Sequence, residues 1–137
     1  MLRDPNCIFC QPENQHYVIE NEHAGLLFDT HPVSKGHVLI ICKDHYPTFF
    51  DVPKNVMDDM YRLILDAKKL VDDKFQPDGY NLDVNIEPAG GQAIMHCHIH
   101  LIPRYRHQDP FRNIPTHELL PGDKTDEHLR AAKHLEG

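Results

Sequence analysis

No apolar run in this 137-residue chain is long enough to cross a bilayer, so a membrane span is not expected. No apolar core of signal-peptide type follows Met1-Leu2-Arg3-Asp4-Pro5, and a cytoplasmic protein is expected. Positive charge is in deficit. The net charge is −7 with histidine neutral, which argues against a nucleic-acid partner bound through a broad basic surface. That deficit does not exclude a small phosphorylated ligand held by local donors. There is no internal repeat and no low-complexity tract. Cysteine is scarce too, with four residues and no disulfide framework. Cys42 and Cys97 lie in apolar strand-like runs and read as small buried residues. Cys7 and Cys10 form a C-x-x-C pair. Without an export signal, metal binding or redox chemistry is favoured there over bridging.

What is present is the composition of one soluble globular domain over 1–137, 40% hydrophobic and 26% charged. Twelve histidines are many for this length. Most of those scattered outside the central motif (His16, His31, His107, His117, His128, His134) read as solvated surface residues. The run Met95-His96-Cys97-His98-Ile99-His100-Leu101-Ile102 is different. In a strand, successive side chains point to opposite faces, so His96, His98 and His100 would share one face, roughly 6.6 Å apart. Cys97, Ile99 and Leu101 would face the core. Imidazoles so placed can supply a nucleophile, a proton donor and a metal ligand near neutral pH.

Residues 16–20 and 24–28 read as short strands around an Asn21-Glu22-His23 turn. A loop over 31–36 leads to a largely buried strand over 37–42. Val56, Met60, Leu63, Ile64, Ala67, Leu70 and Val71 recur at helical spacing. Asp51 is the expected N-cap of that helix, with Pro53 in its first turn. The helix should stop before Gln76-Pro77-Asp78-Gly79. A strand over 80–85, a loop over 88–91 and the histidine strand ending near Pro103 follow. A short helix is expected over 125–135, capped by Thr125 or Asp126. Short turns between strands and one long helix indicate an α+β fold with a mostly antiparallel sheet. The helix would cover one face, and the histidines would line a cleft on the other.

The motif His96-Cys97-His98-Ile99-His100-Leu101-Ile102 resembles the signature of the histidine triad (HIT) proteins. Phe28-Asp29, Gly36-His37-Val38-Leu39, Lys43-Asp44-His45, Asp78-Gly79-Tyr80-Asn81, Asn85, Gly91-Gln92 and Pro103-Arg104 extend the likeness over roughly 7–106. The resemblance implies a HIT-like fold, a five-stranded antiparallel sheet with one long helix and short helices. Residues 107–137 would be an extension to it. A homodimer with a continuous sheet is the implied assembly.

The implied chemistry is cleavage of a purine nucleotide at its α-phosphate through a nucleotidyl-histidine intermediate. Dinucleoside polyphosphates and nucleoside phosphoramidates are the implied substrates. By position, His98 would be the nucleophile, His100 would touch phosphate and assist the leaving group, and His37 would support both from behind. Gln92 and Asn85 would serve the phosphate, and Asp29 the ribose hydroxyls. Some members carry Ser or Thr after the glutamine, where this chain has Ala93, so one phosphate hydrogen bond is absent.

Cys7 and Cys10 resemble the N-terminal pair of the zinc-containing bacterial-type branch, in which His45 and His96 would complete the set. Two thiolates and two imidazoles suit structural Zn²⁺. A redox pair is the rival reading, but the thioredoxin-like βαβ setting it needs is not apparent. A different function class, a nucleotide-binding regulatory module with little catalysis, would present the same pocket.

Overall fold

The computed structural model describes residues 2–106. The extension over 107–137, with its expected helix over 125–135, lies outside the described residues. Five strands are present: β1 (Ile19–Glu20), β2 (Ala24–Phe28), β3 (Val38–Cys42), β4 (Gly79–Asp83) and β5 (His98–Arg104). Among the described residues one α-helix, α1 (Lys54–Phe75), joins β3 to β4. The sheet order is β1-β2-β3-β5-β4, and every pairing is antiparallel. The last strand therefore lies between the two that the helix connects, with β3 on one side of the histidines and β4 on the other.

Alternation sorts the side chains between two faces. Ala24, Leu26, Val38, Ile40, Cys42, Cys97, Ile99 and Leu101 pack against the helix stripe Val56, Met60, Leu63, Ala67 and Val71 in one buried cluster. His98 and His100 pair with Ile41 and Leu39 of β3 and share the face turned away from α1. Burying the larger side chains of this cluster stabilises the fold by roughly 1.5–3 kcal/mol each.

The start of α1 differs from expectation. Asp51 does not cap it. Thr48 and Asp51 instead form a capping box around the short 3₁₀ turn Phe49–Asp51, and Pro53 stands at the N-cap of the helix. Pro53 lacks an N–H, a loss that costs nothing at a helix start. The C-terminus behaves as expected. Gln76 takes the left-handed conformation, its N–H bonding to Asp72 O, ahead of Pro77. The turn between β1 and β2 is fastened to the helix by His23 Nδ1 at 2.7 Å from Asp59 Oδ2 and by Asn21 Nδ2 donating to Asp59 O.

Two glycines are constrained by close approach. Gly36 sits at φ +89° with the Phe75 ring 2.8 Å from where a Cβ would stand. Gly25, inside β2, lies beneath Tyr17, whose ring atoms would be 2.2 Å from a Cβ. Gly25→Ala is therefore expected to lower unfolding free energy by about 1–3 kcal/mol, the usual cost of overpacking. Urea denaturation checks this, and a variant as stable as its parent would show that Tyr17 swings aside freely.

Candidate functional site

The hairpin loop between β2 and β3 delivers Asp29 and His37 to the histidine strand. Asp29 N–H donates to His37 O, and Ser34 Oγ donates to Pro103 O, which docks the loop on β5. His37, His98 and His100 are all buried. His98 and His100 stand with ring centroids 5.2 Å apart, and His37 and His100 also at 5.2 Å.

Hydrogen bonds assign the tautomers. Val33 N–H donates to His37 Nδ1 at 3.0 Å, so the ring proton of neutral His37 is on Nε2. That Nε2 lies 3.0 Å from His100 Nδ1, which must accept. The proton of His100 is then on Nε2, a buried atom with no hydrogen-bond partner. His98 Nδ1 lies 2.7 Å from the carbonyl oxygen of His96 and donates to it. The lone pair of His98 is thereby on Nε2. The site offers one unencumbered imidazole lone pair and one unsatisfied N–H donor, on rings that both line the same cleft.

Charge is disfavoured on all three rings. Burial lowers the pKa of His98 and of His37. His100 falls to about 4, through burial first and then through its histidine neighbours, with Asp29 opposing. Asp29 Oδ2 stands 3.5 Å from His37 Nε2 and 4.0 Å from His100 Nδ1. Because the folded pKa of His100 is depressed, the unfolded chain binds more protons between about pH 4 and the ordinary imidazole value of about 6.5. Its contribution is present in full above that value and is lost as pH falls toward 4. The melting temperature should therefore decline over this window more steeply in the parent than in His100→Gln. Parallel melting curves against pH would contradict the assignment.

The cleft has a volume of about 460 Å³. Ile8, Phe9, Leu27, Phe28, Leu39 and Ile94 make its apolar walls, and Asp29, Ala93, His98 and His100 lie along it. Asn85 and Gln92 do not line it. Asn85 is buried beside the loop over 86–91, its Nδ2 3.4 Å from Gly91 O. Gln92 Nε2 donates to Pro47 O and Ile94 O, and its Oε1 accepts from Glu87 N–H. Both of its donors are thus committed to backbone. That clamp holds Glu87 at φ +67°, a conformation that non-glycine residues rarely adopt. His16 and His31, read from the sequence as surface residues, are exposed but stand at the cleft's rim with Glu13 and Asn14. Asp83, directly opposite His100 in the β4–β5 pairing, has its pKa raised by burial and was not expected from the sequence.

A second centre lies just upstream. His96 precedes β5 and so is not part of the strand. Its Nε2 donates to Cys42 O at 2.6 Å, which turns Nδ1 toward Cys7 Sγ at 3.2 Å and Cys10 Sγ at 3.6 Å. His45 Nδ1 is 3.5 Å from Cys10 Sγ. The four ligand atoms of Cys7, Cys10, His45 and His96 lie within 4.8 Å of one another, a cluster that can hold a metal ion. Tetrahedral bonds of about 2.0–2.3 Å place ligand atoms roughly 3.3–3.8 Å apart, so the spacing fits.

The family model for the HIT domain matches residues 11–107. Adenylylsulfatase HINT3 of Arabidopsis thaliana is 37% identical over 105 residues, covering 72% of this chain and 52% of that protein. Adenosine 5'-monophosphoramidase HNT1 of Saccharomyces cerevisiae is 31% identical over 105 residues, covering 74% of this chain and 64% of that protein. Similar proteins thus include hydrolases. The crystal structure of a HIT family protein from Bacillus anthracis superposes with a TM-score of 0.73 at 28% identity, over 95% of this chain and 94% of that one.

Proposed function

The chain belongs to the HIT family, and from that membership and the cleft we propose that it hydrolyses a purine nucleotide at the α-phosphate, releasing the leaving group through a nucleotidyl-histidine intermediate. Dinucleoside polyphosphates and nucleoside phosphoramidates are the substrate classes. The observation that carries the reading is the His98 tautomer. A ring pinned through Nδ1–H to a backbone carbonyl, neutral because it is buried, and lining a cleft is an imidazole nucleophile with nothing to displace.

In the first step His98 Nε2 bonds to the α-phosphorus and the bond from phosphorus to the leaving group breaks. His100 Nε2–H is the unsatisfied donor on the neighbouring ring. It hydrogen-bonds the negative charge that develops at the phosphate, while His100 Nδ1 keeps accepting from His37 Nε2–H, so the ring stays neutral. An amine leaving group takes its proton from solvent, whereas a phosphate leaving group departs without one. Water then attacks phosphorus and breaks its bond to His98 Nε2, the proton of the water passes to solvent, and His98 is released neutral. His37 steadies His100 through Nε2–H. Asp29 is assigned to the ribose hydroxyls, with Asn85 and Gln92 serving the phosphate. For Gln92 that role requires release of one of its two backbone bonds. The cleft carries no hydroxyl at position 93, so phosphate binding leans more heavily on His100.

Zn²⁺ is the ion proposed for the Cys7, Cys10, His45 and His96 cluster. These four residues would hold it with no position left for water, and a closed set of this kind would supply structural stabilisation. A homodimer is the proposed assembly, and the chain is assigned to the cytoplasm.

Steady-state turnover of diadenosine tetraphosphate and of adenosine phosphoramidate by the zinc-loaded protein tests the reading. Release of AMP from at least one, far above the uncatalysed rate, is expected. Tight AMP binding with turnover of neither would overturn it in favour of a binding module.

A further inference from the structure

Cys7 and Cys10 bracket Ile8 and Phe9, and both of the intervening side chains line the cleft. Ile8 is 53% exposed, an apolar surface open to a ligand. The Phe9 ring meets His96 edge-on at 5.6 Å and His98 at 5.3 Å, so it touches the metal cluster and the nucleophile together. The hydrogen bonds that shape this knuckle come from within the first 15 residues. Gln11 N–H and Asn14 Nδ2 donate to Ile8 O, Gln15 Nε2 donates to Phe9 O, and Arg3 donates to Cys10 O. Such bonds give the knuckle its form without fastening it to the sheet. Its links to the sheet side include the Cys7, Cys10, His45 and His96 set, the Phe9 ring, His45 N–H donating to Leu2 O, and Asp4 Oδ2 3.9 Å from His45 Nε2. A second link runs along the backbone. His96, which turns Nδ1 toward the sulfurs, also presents the carbonyl that accepts the hydrogen bond from His98 Nδ1–H.

The geometry points to reciprocal coupling between metal and nucleotide: an ion held by Cys7, Cys10, His45 and His96 fixes Ile8 and Phe9 as one wall of the nucleotide cleft, so each ligand binds more tightly when the other is present. Phe9 is the positioning residue that transmits the effect. The inference rests on the nucleotide reading and the zinc reading above. Without the ion, ordering the wall falls to the nucleotide, and that cost is subtracted from its affinity. Linkage requires the same factor in both directions.

Two equilibrium measurements test this. The Kd of AMP is determined by calorimetry on zinc-loaded and chelator-stripped protein, with circular dichroism recorded on each. Stripping is expected to weaken AMP about tenfold, inside the usual coupling range of about 5–150-fold. The Kd of Zn²⁺, determined by competition with a chromogenic chelator, should tighten by the same factor when AMP is saturating. Phe9→Ala should keep one zinc per chain while its coupling falls below about twofold, and Phe9→Leu should restore part of it. Equal AMP affinity with and without zinc overturns the inference alone. So does coupling that persists undiminished in Phe9→Ala, because that pattern marks general unfolding of the stripped chain. Failure of AMP to bind the zinc-loaded parent overturns the nucleotide reading and this inference with it.

Discussion

His98→Ala is expected to lower kcat/KM by roughly 10³-fold or more, about 4 kcal/mol of transition-state stabilisation, while leaving the fold and the zinc content unchanged. The loss is large because no second lone pair can substitute. His37 Nδ1 is occupied by Val33 N–H, and His100 Nδ1 faces His37 Nε2. The fold should tolerate the change, because His98 gives up one hydrogen bond to a carbonyl and its edge contacts with Phe9 and His100, and sits outside the cluster packed on α1. Acid quench during turnover, followed by mass spectrometry, should trap an adenylyl adduct on the parent and none on the variant. AMP should still bind the variant, since the cleft walls and Asp29 are untouched. Turnover near the parental rate in a folded His98→Ala protein would remove His98 from the mechanism.

Much of this site is legible in the sequence because it is built on period-two alternation. Val38 to Cys42 and Ile99 to Ile102 alternate against α1 and the cleft without interruption, so strand positions and the helix-free histidine face follow directly. The order β3-β5-β4 does not follow from pattern alone, since antiparallel partners are chosen by packing across the sheet. The start of α1 was misplaced because Asp51 is as good a cap for a 3₁₀ turn as for an α-helix, and Thr48, three residues earlier, completes that alternative. His96 departs from the strand because two partners outvote the alternation, Cys42 O on one ring nitrogen and the sulfurs of Cys7 and Cys10 beside the other. The commitment of Gln92 to Pro47 O, Ile94 O and Glu87 N–H is set by loop geometry and leaves no trace in composition. The same is true of Asp83, which reaches the histidines only through the β4–β5 register.

Removal of the metal should cost the most stability of any single perturbation to the chain. The four candidate ligands come from positions 7, 10, 45 and 96, so an ion held there would close long loops between the N-terminal segment and both central strands. Cys7, Cys10, His45 and His96 take no part in the buried cluster beneath α1, and most polar bonds of the segment are internal to it, His45 N–H to Leu2 O and the Asp4–His45 pair being exceptions. Little else therefore compensates. With free zinc 1,000-fold above its Kd, binding to the folded state adds about 4 kcal/mol. For a domain of this size that corresponds to roughly 10–20 °C in Tm. Cys7→Ala and Cys10→Ala should each reproduce the loss seen on chelation, and the pair together should cost little more than either alone, because a site missing one ligand is already spent. Cys42→Ala makes the contrast. It keeps the backbone carbonyl that orients His96, so it should retain one zinc per chain and lose only the packing of its own sulfur and the weak bond from Sγ–H to Cys97 O. Thermal melts paired with metal analysis decide the matter. A Cys10→Ala protein that melts with its parent, or a parent purified without chelator that carries no zinc, would dismiss the ion from the structure.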